Sequence, residues 1–456
     1  MQIKQFKLHN IGRFRSLEVS LAPTPDVSSN VTVLVGNNGA GKTSILKSLA
    51  TSLSWFISRL RSEKGNGNSI PEEVIFKGSS SAAIEITVMD EHGQAVNPNI
   101  DKNEFLYRWT LSKARRGKKA EYASRLNDAS RLANDYRIAL TNNDQCSLPL
   151  IAFYPVERVV LDIPLKIREK HNFLQLDGYD NSLNQGVDFR RFFEWFRERE
   201  DAENESGIPQ DMLAKIFEIV DQNSSIWQKL QQLKASSRDR QLTAVRTAIS
   251  NFMPGFTNLK VRRKPRLHMS IDKDNDTFNV LQLSQGEKSL MALVGDIARR
   301  LSMMNPSLEN PLQGNGVVLI DEVDMHLHPT WQRSIIERLT MTFPNCQFVL
   351  TTHSPLVISD YKEVLVYSLE NGELVQVPSQ YGQDANSVLL DVMDTHIRNQ
   401  RIAEKFSDLL DLIQDRKLAK ARELLESLEQ ELPESNIELT KAKLLLRKQE
   451  LRIEKN

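Results

Sequence analysis

Cysteine is almost absent from this sequence: the two present, Cys146 and Cys346, stand far apart in 456 residues and beside apolar neighbours. That excludes a cysteine metal cluster and a disulfide framework and suits small core thiols in a reducing compartment, so a cytoplasmic location is expected. Net charge is absent as well, with 59 Lys plus Arg against 59 Asp plus Glu. No bulk field draws the chain to nucleic acid or to a membrane surface, and any such site has to be local. Long apolar runs are also missing. No stretch approaches the ~18 to 20 residues that span a bilayer, and residues 1–7 alternate like a strand instead of forming the apolar region of a signal peptide. No membrane association is expected.

What remains is an ordinary globular composition, 40% hydrophobic and 26% charged, in a chain long enough for two or three structural units. Residues 1–8 and 17–22 alternate apolar and polar side chains, and Val31-Thr-Val-Leu-Val35 is a β-rich run that ends in Gly36. From Thr43 onward Ile45, Leu46, Leu49, Leu53, Phe56 and Ile57 recur at helical spacing. Further strands are predicted at 82–89, 105–111, 148–154, 276–283, 316–320, 347–351 and 364–368. Between about 165 and 265 the pattern turns charged and mostly helical, notably at 189–199 and 209–253. Two antiparallel helices of ~50 residues each would reach only ~75 Å, so any arm there is short. Three helices are predicted near 398–414, 416–431 and 436–453. The division expected is an N-terminal lobe over 1–164, a helical insertion over 165–265, a C-terminal lobe over 266–395 and a helical tail over 396–456 that reads as an interaction segment.

Chemistry concentrates in four places. Gly36-Asn37-Asn38-Gly39-Ala40-Gly41-Lys42-Thr43, followed by Ser44, matches G-x-x-x-x-G-K-[ST] between a predicted strand and a predicted helix. Backbone N–H groups of such a loop close around phosphates, the helix N-terminus adds partial positive charge, Lys42 reaches the β- and γ-phosphates and Thr43 ligates Mg²⁺. Val317-Val-Leu-Ile320 ends in Asp321-Glu322, acids placed where a buried strand emerges at the carboxyl edge of a sheet. Asp321 would hold Mg²⁺ and Glu322 would orient and deprotonate the attacking water, making ATP with Mg²⁺ the expected ligands. Val349-Leu-Thr-Thr-His353-Ser-Pro355 is another strand running into a polar loop. Leu283-Ser284-Gln285-Gly286-Glu287-Lys288-Ser289 contains a capping box, Ser284 with Glu287 three residues on, that would start a helix.

The last of these resembles the signature loop of ABC-type ATPases, in the Gly-Glu-Lys-Ser form of structural-maintenance, RecF and OLD heads, and all four motifs stand in that family's order. The resemblance implies an α/β fold: an ABC-type P-loop NTPase head, a mixed sheet with flanking helices, carrying a helical insertion and a helical C-terminal tail. It places Ser284, Gly286 and Glu287 at nucleotide held by an opposite subunit, hence a head-to-head homo-oligomer. It makes His353 a contact of the γ-phosphate, catalytic with Glu322 and Lys42. Asn10-Ile-Gly-Arg13-Phe14-Arg15-Ser16 looks like the N-terminal turn that packs near nucleotide, and Asp324-Met-His326-Leu-His328 looks like the OLD-type loop that touches the partner subunit. His326 and His328 are not expected to hold a metal. The family's Mg²⁺-binding Gln has no counterpart in Ala152-Phe-Tyr-Pro-Val-Glu157-Arg158; Glu157 or Arg158 serves in its place, or neither does. Residues 381–391 and the helical tail resemble the ATPase subunits of Septu and retron anti-phage defence, PtuA-type proteins, which implies an HNH nuclease partner of PtuB type. No D-x-D cluster follows Asp360, so no Toprim-type nuclease is expected in this chain. The rival reading is a RecF- or SMC-like DNA-repair ATPase that neutralises phosphates with Lys113–Lys119 and Lys260–Arg266. A transporter motor fits less well, because its signature loop ends differently.

Overall fold

A computed structural model of the chain describes residues 1–91, 105–156, 173–184, 189–206, 238–370, 372–393, 395, 399–433 and 435–454. Glu157 and Arg158 lie outside the described residues, as do residues 209–237 of the helical stretch expected over 209–253. The chain forms two compact units, Met1–Ala385 and Asn386–Asn456.

In the first unit, β1 (Gln2–Ile11) and β2 (Phe14–Ser20) make a hairpin, and β3 (Val31–Gly36) runs through the glycine loop into α1 (Lys42–Arg61). β4 (Ser81–Met89), β5 (Leu106–Ala114), α2 (Asn127–Asn142) and β6 (Leu150–Tyr154) follow, then α3 (Phe189–Ser206) and α4 (Arg240–Phe252). Next come β7 (Phe256–Arg262), β8 (His268–Lys273), β9 (Asp276–Asn279) and α5 (Gln285–Met304). The unit is completed by β10 (Gly316–Ile320), α6 (Pro329–Thr342), β11 (Cys346–Thr351), α7 (Pro355–Ser359), β12 (Leu365–Glu370) and β13 (Glu373–Val377).

Three sheets result. β2-β1-β4-β5 is antiparallel, and β13-β12-β3-β11-β10-β6 is parallel except for β13 at its edge. β7-β8-β9 is a small antiparallel sheet. This is the expected α/β head with a mixed sheet. β6, β10 and β11 are buried at every position, as parallel strands covered on both faces must be, which is why they read as unbroken apolar runs. α1 packs between the large sheet and the antiparallel sheet, and the Trp109 indole of β5 donates to Ser52 Oγ of α1 at 2.9 Å. Gln347 ties the sheets together: from a fully buried site on β11 it donates to the carbonyls of Ile3 and Ala22 and accepts from the Ile3 N–H.

Two sequence expectations are corrected. The helical pattern expected up to 265 gives way to β7 at Phe256, whose alternation is masked by a register shift between Thr257 and Lys260. The strand expected over 276–283 stops at Asn279, where the Asn279 side chain caps a 3₁₀ turn, Val280–Gln282.

The second unit contains α8 (Ala385–Asp391, whose first residue belongs to the first unit), α9 (Gln400–Gln414), α10 (Leu418–Glu431) and α11 (Ile437–Glu454). The last three pack around Phe406, Leu409, Ile413, Leu425, Leu428, Leu439 and Leu446. Leu410 of α9 and Ala419 of α10 face outward.

Candidate nucleotide site

The large sheet places β3, β11 and β10 side by side, so the glycine loop, His353 and the Asp321–Glu322 pair all emerge at one carboxyl edge. Gly36, Asn37, Asn38, Gly39 and Ala40 form the loop, with the Ala40 N–H donating to the Asn37 carbonyl, and Lys42, Thr43 and Ser44 open α1. The N-cap, Gly41, has φ 115° and a Cβ there would meet the Phe14 ring at 2.6 Å, so only glycine fits. α1 has neither a side-chain cap nor an acid in its first turn, which leaves its first N–H groups for an anion. α5 is the opposite case, its N-terminus closed by the Ser284–Glu287 capping box.

Lys42 Nζ donates to the Gly36 carbonyl at 2.7 Å and lies 2.9 Å from His353 Nε2. An ammonium has no lone pair, so His353 Nε2 is the acceptor and the ring proton sits on Nδ1. Burial and Lys42 both hold the His353 pKa below the ordinary imidazole value, against the pull of Glu322, Asp324 and Asp321. Burial also lowers the Lys42 pKa, opposed by Asp321, Glu322 and Asp324. The Thr43 hydroxyl donates to Asp321 Oδ2 at 2.7 Å, and the Thr351 hydroxyl donates to Asp321 Oδ1 at 2.6 Å. The site is therefore an oxygen-only donor set around a fully buried carboxylate, the chemistry that suits a hard divalent cation. Glu322 follows in the left-handed region at φ 46°, its N–H held by Thr351 Oγ1 at 2.7 Å. A non-glycine residue there costs about 1–2 kcal/mol, a strain kept where function requires an aim.

Arg13 reaches the loop: its Nη2 would lie 3.5 Å from a Cβ at Gly39. Ser284, Gly286 and Glu287 form a second cluster. Ser284 Oγ accepts from the Glu287 N–H, Glu287 Oε2 accepts from the Ser284 N–H, and Lys273 Nζ lies 2.7 Å from Glu287 Oε1. Burial pushes the Glu287 carboxyl up, but the bonds from Lys273 and Ser284 outweigh it and hold it below the usual range. Gly286 abuts the loop after the acids, where a Cβ would sit 2.3 Å from the His326 carbonyl. Among the described residues no hydrogen bond joins this cluster to residues 36–44. His328 caps α6 by accepting from the Thr330 N–H, and no metal-ligand group of three occurs among the described residues.

Sequence reading missed several roles and a cavity. Thr351 orients both acids. Asp324 accepts from the Thr352 hydroxyl and the His353 N–H, fixing the His loop to the acid loop. A cavity of about 260 Å³ opens beside the first turns of α1, with Ser44, Lys47, Thr51 and Asn68 on its polar side and a larger apolar wall that includes Ile70 and Phe153. Thr351 sits at the end of a buried strand and reads as a plain β-former, while Asn68 belongs to a loop without a motif.

Residues 31–359 match the family described as "AAA domain, putative AbiEii toxin, Type IV TA system". The chain is 34% identical over 413 residues to "Retron Ec83 probable ATPase" of Escherichia coli, covering 83% of this chain and 73% of that one. It is 34% identical over 379 residues to "Retron Vc95 probable ATPase" of Vibrio cholerae, covering 78% and 72%. It is 22% identical over 416 residues to "Septu protein PtuA" of Bacillus thuringiensis, covering 86% and 84%. With its glycine loop, acid pair and His loop on one sheet edge, the chain belongs to this AAA-domain family of ATPases and is homologous to the two retron proteins and to PtuA.

Proposed function

We propose that this protein binds ATP with Mg²⁺ and hydrolyses it between two associated copies, as the ATPase subunit of a cytoplasmic anti-phage defence complex that controls a partner nuclease of HNH type. The observation that carries the ATPase reading is the 2.7 Å contact between the Thr43 hydroxyl and Asp321, which joins the glycine loop to the acid-bearing strand. The retron and Septu names of its relatives support the defence role.

Backbone N–H groups over Gly39–Thr43 cradle the phosphates and Lys42 neutralises them. Thr43 and Asp321 would hold the cation, which when bound draws charge from the phosphate oxygens. Glu322 orients the attacking water and accepts its proton, and His353, whose Nε2 accepts from Lys42, links the lysine that meets the terminal phosphate to that loop. The cavity at Lys47, Thr51 and Asn68 takes the base and ribose, and Arg13 covers the loop. Ser284 and Gly286 of the second copy face the terminal phosphate, with Glu287 fixing the shape of their loop. No nuclease chemistry is assigned to this chain.

The test is light scattering after size exclusion, with and without ATP, on wild type and Glu322→Gln. Loss of the general base should lower the ATPase rate about 10²- to 10⁴-fold and trap the closed assembly. A nucleotide-locked dimer or larger species is expected of the variant. If both proteins bind ATP and stay monomeric, the shared-site mechanism is wrong.

A further inference from the structure

The two basic stretches of the sequence have different fates. In the first, Arg115 is used internally, donating to the carbonyls of Ser79 and Ile75. In the second, Arg263 is engaged by Glu200 and Asp201. Lys260, Arg262, Lys264 and Arg266 make no ion pair among the described residues, and the last three are exposed. They sit on β7 and on the turn into β8. Strand alternation puts Lys260 and Arg262 on one face, about 7 Å apart. Asp272, whose charge Lys260 and Arg262 feel, forms no ion pair with them among the described residues and is held by the Thr277 hydroxyl at 2.6 Å and the Asn258 amide at 2.7 Å.

Lys260 also lines a cleft of about 400 Å³ between α4 and β7 whose other walls include Thr243, Thr247, Ser250, Asn251 and Thr257. Hydroxyls, amides and unpaired cations together are the donors that contact a phosphate backbone. The basic turn carries one large apolar side chain, Leu267, and that is half-buried, less than the apolar core a protein partner's interface would need. No exposed aromatic ring stands on it for unpaired bases to stack on, which favours a duplex over a single strand.

The same small sheet leads to the nucleotide machinery. β8 ends at Lys273, whose ammonium holds Glu287, and β9 continues through the 3₁₀ turn into Ser284. The geometry points to the β7-β8-β9 sheet as a duplex-nucleic-acid sensor: phosphate backbone binds Lys260, Arg262, Lys264 and Arg266, and Lys273 transmits that binding to the signature loop, so that nucleic acid changes the ATPase rate. This rests on the ATPase reading above only for its second half.

Fluorescence anisotropy of the full chain with a 30-base-pair DNA duplex, and with an RNA duplex of the same sequence, over stepped salt tests the first half. Wild type is expected to bind with a steep salt dependence, and the two duplexes show which backbone it prefers. Lys264→Glu/Arg266→Glu should flatten the log–log salt slope by about 2 while leaving the ATPase rate without duplex unchanged, which also shows that the variant folds. Lys273→Met should bind duplex as wild type does, with the ratio of ATPase rates with and without duplex falling to unity. Absence of salt-dependent binding to either duplex overturns the proposal, as does an unaltered slope in the charge-reversed protein. A duplex-responsive ATPase in Lys273→Met removes the coupling. Polyglutamate bound as tightly as duplex would identify an acidic-protein dock instead. Failure of wild type to hydrolyse ATP counts against the ATPase reading and leaves the binding result interpretable.

Discussion

At the scale of single residues, the site depends on a hydroxyl that no motif marks. Thr351 donates to Asp321 and accepts from the Glu322 N–H, so one side chain fixes both acids. Thr351→Val keeps the shape and removes both bonds. The residues that support a cation's ligands typically contribute 10- to 100-fold, so ATPase turnover should fall by about that factor with ATP affinity little changed. Thr351→Ser should restore it in a steady-state assay. An equal loss in Val and Ser variants would show that the methyl group matters and that the hydroxyl does not. The motif residues themselves were legible because their chemistry requires a fixed spacing; Thr351 was not, since any side chain at the end of the neighbouring strand that can both donate and accept could do its work.

At the scale of elements, the buried strands and α1 were legible because periodicity and burial agree in them. What stayed hidden was polar material inside apolar elements. Gln347 reads as an interruption of a strand, yet it satisfies both backbone groups of Ile3. In α5, Asp296, Arg299 and Arg300 look like a solvated face and are fully buried: Asp296 accepts from both arginines and from the Tyr154 hydroxyl of β6, and Arg300 also donates to the Gly178 carbonyl. Burial alone would raise the Asp296 carboxyl, but Arg300 and Arg299 hold it below the usual range. Asp296→Asn leaves two buried guanidinium groups without their counter-charge, and should cost about 3–5 kcal/mol in denaturant unfolding. A folded-state pKa below the unfolded value of about 4 means that the stabilisation is complete above that value and is lost as pH falls through the lower one. Wild type should therefore lose this increment only in acid, and Asp296→Asn should lack that part of the acid dependence. A variant as stable as wild type at neutral pH would show that the network relaxes around the loss.

At the scale of the whole molecule, every residue assigned to the nucleotide lies in Met1–Ala385, whereas the helices of Asn386–Asn456 bury their side chains in a cluster of their own. The three tail helices were legible from their periodicity, but periodicity does not say how wide the buried face is, and Leu410 and Ala419 lie beyond its edge. α11 is apolar on more than its packed face: Ile437, Leu444 and Leu451 are exposed at 70%, 66% and 45%, one every seven residues. Such spacing on one side of a helix needs no explanation residue by residue, but a repeated row of this kind is more than scattered exposure accounts for. Deleting residues 396–456 should leave ATP binding by the head at wild-type affinity, because none of its ligands is removed, while co-purification with the proposed partner nuclease is lost. If the shortened chain no longer binds ATP, the tail is part of what holds the head together. If it binds ATP and still retains the nuclease, the partner docks on the head, and the exposed row on α11 has another use.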